Sequence, residues 1–281
     1  MNESEQHGDL SPTWHEVSRP GAIIHYLDSG GDGRPVILLH GLAGHAGEWL
    51  ATMRHLFPRC RTVAVDQRGH GRSTRMPVDL SRDAFADDVA AVFDTAAFTR
   101  PVVLIGQSMG AHTAFLTAAR HPQLVSHLVM IEGETGGGEG DIGGGEGGEL
   151  AALRDALSSW PVPFPTYDSA VQFFGGDNEL GHAWADGFEK RADGFWPRWD
   201  LEIMLRTMAP VFEREYWDEW KSLPQPTLLV LGQNGSIDPL RVERMLEVRP
   251  ATTRVTIEHA GHDLHLEQPR VWFHALDEFL R

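Results

Sequence analysis

Ser108 lies in Gly106-Gln107-Ser108-Met109-Gly110, with Pro101-Val102-Val103-Leu104-Ile105 before it and an Ala-rich stretch, residues 111–119, after it. The first reads as a buried strand and the second as a helix, which puts the serine on a sharp strand-to-helix turn. Glycines on either side relieve the crowding there, and a helix N-terminus favours developing negative charge. The alternative is an ordinary turn whose serine caps the helix. A serine hydroxyl attacks a carbonyl only when a base removes its proton. Three imidazoles, His259, His262 and His265, stand in Glu258-His259-Ala260-Gly261-His262-Asp263-Leu264-His265. Their spacing would also suit a metal, but no carboxylate or thiolate cluster accompanies them, so no metal is expected. The base in turn needs an acid to orient it. Glu132 closes the apolar run Leu128-Val129-Met130-Ile131, where a buried carboxylate demands a partner. Asp238 is the alternative acid, although Asp238-Pro239 reads equally well as a helix N-cap followed by the first helical residue. Glu134 is a third candidate.

The elements that must position these groups alternate between apolar strands and amphipathic helices. Residues 14–19 and 22–27 read as two strands joined at Pro20-Gly21, and 36–39 and 62–65 as wholly apolar or nearly apolar central strands. Helices are expected at 48–57 and 83–98, followed by the strand before Ser108, a strand over 124–131, and further strands at 227–231 and 254–257. Helices at 240–248 and 269–280 complete the chain. This pattern predicts an α/β fold, a doubly wound and mostly parallel sheet whose ligands bind beyond the C-terminal strand ends. His40, Asp66 and Ser108 all fall at such ends.

The alternation breaks between the strands at 124–131 and 227–231. Residues 133–149 are mostly Gly and Glu, a composition that cannot bury apolar surface and reads as mobile; the acid spacing does not fit a calcium-binding repeat. Residues 150–223 read as helices broken at Pro161-Val162-Pro163-Phe164-Pro165, at Gly175-Gly176 and at Pro197. Six of the nine tryptophans lie there: Trp160, Trp184, Trp196, Trp199, Trp217 and Trp220. Packing explains most of these rings, and Trp160, Phe164, Trp184 and Trp196 are expected to line a substrate pocket. Resumption of the strand pattern afterwards predicts one core, residues 1–132 and 224–281, interrupted by a Gly-rich linker and helical lid, residues 133–223.

The formal charge of −16 argues against binding nucleic acid or an anionic membrane. A single cysteine, Cys60, excludes an internal disulfide and fits a reducing compartment. No apolar run approaches a membrane span, and the acidic, polar start to Leu10 is unlike a signal peptide, so a cytoplasmic protein with a loose N-terminal tail is expected. The Gly-rich pieces lack a dinucleotide fingerprint or a Walker motif, so no cofactor is implied.

Four motifs in order, His40-Gly41, Asp66-x-Arg68-Gly69-His70-Gly71-x-Ser73, Gly106-x-Ser108-x-Gly110 and Gly261-His262, resemble the α/β-hydrolase fold family. The resemblance runs from about Trp14 to the end, except in the lid. It implies Ser108 as nucleophile, His262 as base, and backbone N–H groups of Leu42 and Met109 as the oxyanion hole. His40, Asp66, Arg68 and His70 are then scaffold, with Asp66 and Arg68 expected to pair and His40 to brace the oxyanion loop. Most relatives carry the acid in a Gly-x-x-Asp turn, which here puts Gly235 at the acid's place. Some, including haloalkane dehalogenases and fungal zearalenone lactonases, carry it at the strand end that matches Glu132, the candidate favoured over Asp238. The activity implied is hydrolysis of a moderately large hydrophobic ester or lactone through an acyl-enzyme. An acyltransferase, cyclase or carbon–carbon hydrolase on the same scaffold remains open, as does a binding protein without turnover.

Overall fold

Val36–Leu39 and Val102–Ile105 are apolar on both faces and almost wholly excluded from solvent, which requires strands covered by helices on two sides. A computed structural model describes residues 10–137 and 148–281. It places them in the middle of an eight-stranded sheet. In chain order the strands are β1 (Thr13–Arg19), β2 (Ala22–Asp28), β3 (Arg34–Leu39), β4 (Cys60–Asp66), β5 (Val102–Gln107), β6 (Val125–Ile131), β9 (Thr227–Gly232) and β10 (Thr253–Ile257). Their spatial order is β1-β2-β4-β3-β5-β6-β9-β10. β2 pairs antiparallel with both β1 and β4, and every other pairing is parallel. The sheet is therefore doubly wound and mostly parallel.

One face is covered by α2 (Arg82–Thr95), α3 (Met109–Arg120) and α9 (Pro239–Val248), through Val89, Val92, Phe115, Val242 and Met245. The other is covered by α1 (Leu50–Leu56) and α10 (Pro269–Phe279), through Met53, Leu56, Trp272 and Leu276. Asp66 and Arg68 do not pair with each other as expected. Asp66 instead accepts the backbone N–H groups of Ala46 and Arg72, each at 2.7 Å. Arg68 forks onto Asp88 of α2 at 2.7 and 2.6 Å, because its planar donors match a carboxylate buried beside it.

Between β6 and β9 lie α4 (Glu149–Ser158), α5 (Tyr167–Phe173), α6 (Glu179–Asp186), α7 (Leu201–Glu213) and α8 (Trp217–Ser222). The expectation of helices throughout is corrected by a two-stranded hairpin, β7 (Phe188–Arg191) with β8 (Gly194–Pro197). Gly194, at φ +142°, supplies a conformation that other residues resist, and a short hairpin carries too little periodicity to be distinguished in sequence. The segment has an aromatic core of its own around Phe164, Val171 and Phe188. It also rests on the sheet domain through Trp199, Ile203 and Met204, packed with Phe85 and Met109. Trp220 of α8 belongs with α3 and α9, where its indole donates to the Met245 carbonyl at 2.9 Å. The expectations for the N-terminal tail and for most of the Gly-rich linker fall on residues 1–9 and 138–147, outside the described residues.

Candidate active site

β5 delivers its chain to a turn where Ser108 adopts φ +52° and ψ −119°, a backbone strain that non-glycine residues seldom hold. The turn closes because its glycines are bare. A Cβ on Gly106 would approach the Ala111 nitrogen to 2.6 Å, and one on Gly110 the Leu39 carbonyl carbon to 2.7 Å. The Ser108 N–H is anchored to the Ile131 carbonyl at 2.8 Å, and α3 begins at the next residue. The N–H of Met109 is therefore a first-turn donor with no intrahelical acceptor.

Facing the elbow, the loop after β3 carries Gly41, Leu42 and Ala43, the last at φ +62°. His40 fixes that loop from below. Its Nδ1 donates to the Gly41 carbonyl at 2.7 Å while Nε2 accepts the Gln67 N–H at 3.0 Å. Complete burial, reinforced by nearby His70, holds His40 well below the usual imidazole range, so it stays neutral in that tautomer. Leu42 and Met109 share the wall of a cavity that also includes Ser108 and His262.

Glu132 occupies the end of β6 at φ +46° with its side chain buried. Its Oε1 accepts the Gly232 N–H and its Oε2 the Ser236 N–H, both at 2.8 Å. His262 Nδ1 lies 3.3 Å from Oε2, and 2.8 Å from the Ser236 hydroxyl. Burial pushes the Glu132 carboxyl up, but the His262 ring and the two N–H donors outweigh it, so its pKa is lowered. For His262, burial acts downward; the Glu132 hydrogen bond and the Asp263 charge prevail and raise it. The ring is half-open to the cavity, with 40% of its side chain exposed.

Gly235, where the commoner acid would stand, is filled from the opposite side. A Cβ there would lie 2.5 Å from Glu132 Oε2. Asp238 caps α9 by accepting the Leu240 N–H at 2.9 Å, and it does not line the cavity with Ser108. Glu134 pairs with Arg241 at 3.1 Å. The other two imidazoles lead elsewhere: His259 is exposed, and His265 is buried, stacked on Trp49 and pushed down to about 3 by burial. No group of three or more His, Cys, Asp or Glu among the described residues is placed to hold a metal ion.

The cavity has a volume of about 360 Å³. Of the four aromatics expected there, Trp160 and Trp184 line it. Phe164 and Trp196 do not, which corrects that expectation. Phe164 is the buried centre of the inserted segment's own core, and Trp196 lies on β8 with its indole on Asp193. Their places are taken by Leu153 and Leu157 of α4 and by Met208, Val211 and Phe212 of α7. Both sets recur at helical spacing, the one signal that marked them, but periodicity does not say whether an apolar stripe meets a core or a cavity.

Two further polar positions were missed. Ser236 touches both Glu132 and His262. Asp263 lines the cavity and accepts the Trp184 indole N–H at 3.0 Å, so tying α6 to the His262 loop. Gln107 is buried in the cavity wall and donates to the His262 carbonyl at 3.0 Å.

Comparison with known proteins agrees with this architecture. The sequence profile of the alpha/beta hydrolase fold matches residues 34–269. A 2-(acetamidomethylene)succinate hydrolase of Mesorhizobium japonicum is 24% identical over 95% of this chain and 96% of its own. An sn-1-specific diacylglycerol lipase of Mus musculus is 25% identical over 93% of this chain and 86% of its own. A crystal structure of E-2-(acetamidomethylene)succinate hydrolase superposes with a TM-score of 0.85 at 22% identity, covering 96% of this chain and 99% of that one. Elbow, sheet order and family profile agree, and the chain belongs to the alpha/beta hydrolase fold family.

Proposed function

We propose that this protein hydrolyses a carboxylic ester or lactone of a hydrophobic small molecule through an acyl-enzyme. The observation that carries the reading is one cavity containing Ser108 on its strained elbow together with His262, whose Nδ1 faces a buried, hydrogen-bonded Glu132. In this reading Ser108 Oγ attacks the carbonyl carbon as His262 Nε2 takes its proton. Glu132 holds the ring with Nδ1 protonated and stabilises the imidazolium that forms. The N–H groups of Leu42 and Met109 receive the oxyanion, His262 returns its proton to the departing alcohol, and water repeats the sequence on the acyl-enzyme. The segment between β6 and β9 acts as a lid, since Trp160, Trp184, Met208 and Phe212 reach the cavity from it.

Relatives named for a succinate derivative and for a diacylglycerol differ in substrate charge and size, so family membership leaves the substrate to the cavity. Its walls are chiefly apolar, which favours a hydrophobic acyl group. Among the described residues no helix is long and apolar enough to cross a membrane. We place the protein in the cytoplasm, a reading supported by the free, buried thiol of Cys60.

The test is covalent labelling with a fluorophosphonate alongside hydrolysis of p-nitrophenyl esters. Both are expected from the native chain and neither from Ser108→Ala with an unchanged melting temperature. Labelling that persists in Ser108→Ala would remove the serine from its role.

A further inference from the structure

Among the described residues the cavity wall contains carboxylates but no Lys or Arg. Glu48, Glu132, Glu134 and Asp263 line it, and every other lining residue is apolar, glycine or neutral polar, apart from the imidazoles of His112 and His262. Glu134 is balanced by Arg241, and Glu132 faces His262. Among the described residues Glu48 has only the His265 ring, 3.8 Å away and kept neutral by burial, and Asp263 has no Lys or Arg partner. Asp263 takes its hydrogen bonds from the neutral groups of Trp184 and Gln107. Residues 1–9 and 138–147 contain no Lys or Arg in the sequence either.

His112 supplies the second observation. It stands one turn after Ser108 on α3, is 98% buried by its 2% exposure, and lines the cavity, yet neither ring nitrogen has a hydrogen-bond partner among the described residues. A buried imidazole left unpaired is costly, and a ligand atom that pairs with it recovers that cost. Burial first, and the nearby Arg82 charge second, hold its pKa well down, so the ring is neutral and offers one donor and one acceptor.

We infer that the cavity selects an apolar, uncharged acyl chain bearing one neutral polar group, such as a ketone or hydroxyl, that meets His112, and that it excludes chains ending in a carboxylate. The inference rests on the ester-hydrolase reading and specifies its substrate class. An incoming carboxylate would lose its hydration, find no Lys or Arg in the cavity wall, from which the Arg82 beside His112 is absent, and join acids that already crowd one another. Burial and then the Asp263 charge push Glu48 well above the usual carboxylate range, and burial raises Asp263. The net charge of −16 also disfavours the approach of anions. A neutral ketone meets none of these penalties and satisfies His112.

The experiment compares p-nitrophenyl esters of hexanoic acid, 5-oxohexanoic acid and glutaric acid; the last two differ by a methyl against a charged oxygen. The native protein is expected to favour the 5-oxohexanoate over the hemiglutarate by about 100-fold in kcat/KM. His112→Phe should bring the 5-oxohexanoate down to the level of the hexanoate. Met208→Lys, which introduces a cation from half-buried α7, should narrow the preference against the hemiglutarate by about tenfold. A hemiglutarate within about threefold of the 5-oxohexanoate in the native protein overturns the inference while leaving the hydrolase reading standing. If no ester turns over, the hydrolase reading falls, and calorimetric binding of the same pair to Ser108→Ala decides the charge preference by itself: equal affinities overturn it.

Discussion

The loops that follow β6 and β9 hold complementary halves of one arrangement. After β6 the chain puts a carboxylate, Glu132, at positive φ; after β9 it puts a bare backbone, Gly232 to Ser236, whose N–H groups receive that carboxylate. Gly235 leaves the volume that Glu132 fills, and a side chain there would collide with it. The difference teaches that the carboxylate partner of an imidazole is defined by the point in space next to the ring. Either strand end can reach that point, provided the other makes room. The strain at Glu132 is tolerated because two N–H groups and His262 fix the carboxylate at once.

The largest test of this contrast is Glu132→Gln, which keeps the shape and removes the charge. Its kcat should fall by about 10³–10⁴-fold, as expected when an imidazole loses the anion that holds its tautomer. The same variant should move the pH profile. Under the proposed mechanism activity falls as His262 gains a proton, so with its pKa raised from the usual 6.5 the acid limb should lie above that value. Removing the Glu132 charge lowers the pKa, and the limb should shift to lower pH. A limb that stays in place would show that another group sets it.

Next in size is Gly235→Ala, whose added methyl must displace the carboxylate. A loss of up to about 100-fold in kcat is expected, measured with folding checked by thermal melting. Ser236→Ala removes the hydroxyl 2.8 Å from His262 Nδ1 but retains the N–H to Glu132, so about a tenfold loss in kcat is expected. Smallest is Asp238→Ala, which removes an N-cap and should cost about 1 kcal/mol of stability while leaving kcat within about twofold. A large fall in kcat for that variant, without one for Glu132→Gln, would exchange the roles of the two acids.

Legibility in the sequence followed the strength of local constraint. Strands β3 to β6 were readable because a strand buried on both faces must be apolar throughout, and the elbow because only glycines permit its close approach. The pocket aromatics were only partly readable. Trp160 and Phe164 have similar chemistry four residues apart, yet one edges the cavity and the other is sealed behind it. The pairing of Arg68 was missed for the same reason, since Asp66 is near in sequence while Asp88 is near in space.

Composition, periodicity and bare turns thus determined by themselves the parallel sheet, the serine at its crest and the glutamate at the end of β6, because each is required by the backbone within a few residues of itself. Which carboxylate meets His262, which rings wall the cavity, and why Gly235 has no side chain were decided only by the tertiary structure. Those are relations between segments about one hundred residues apart, as from Glu132 to Ser236, and a volume filled by one segment cannot be read from the local pattern of another.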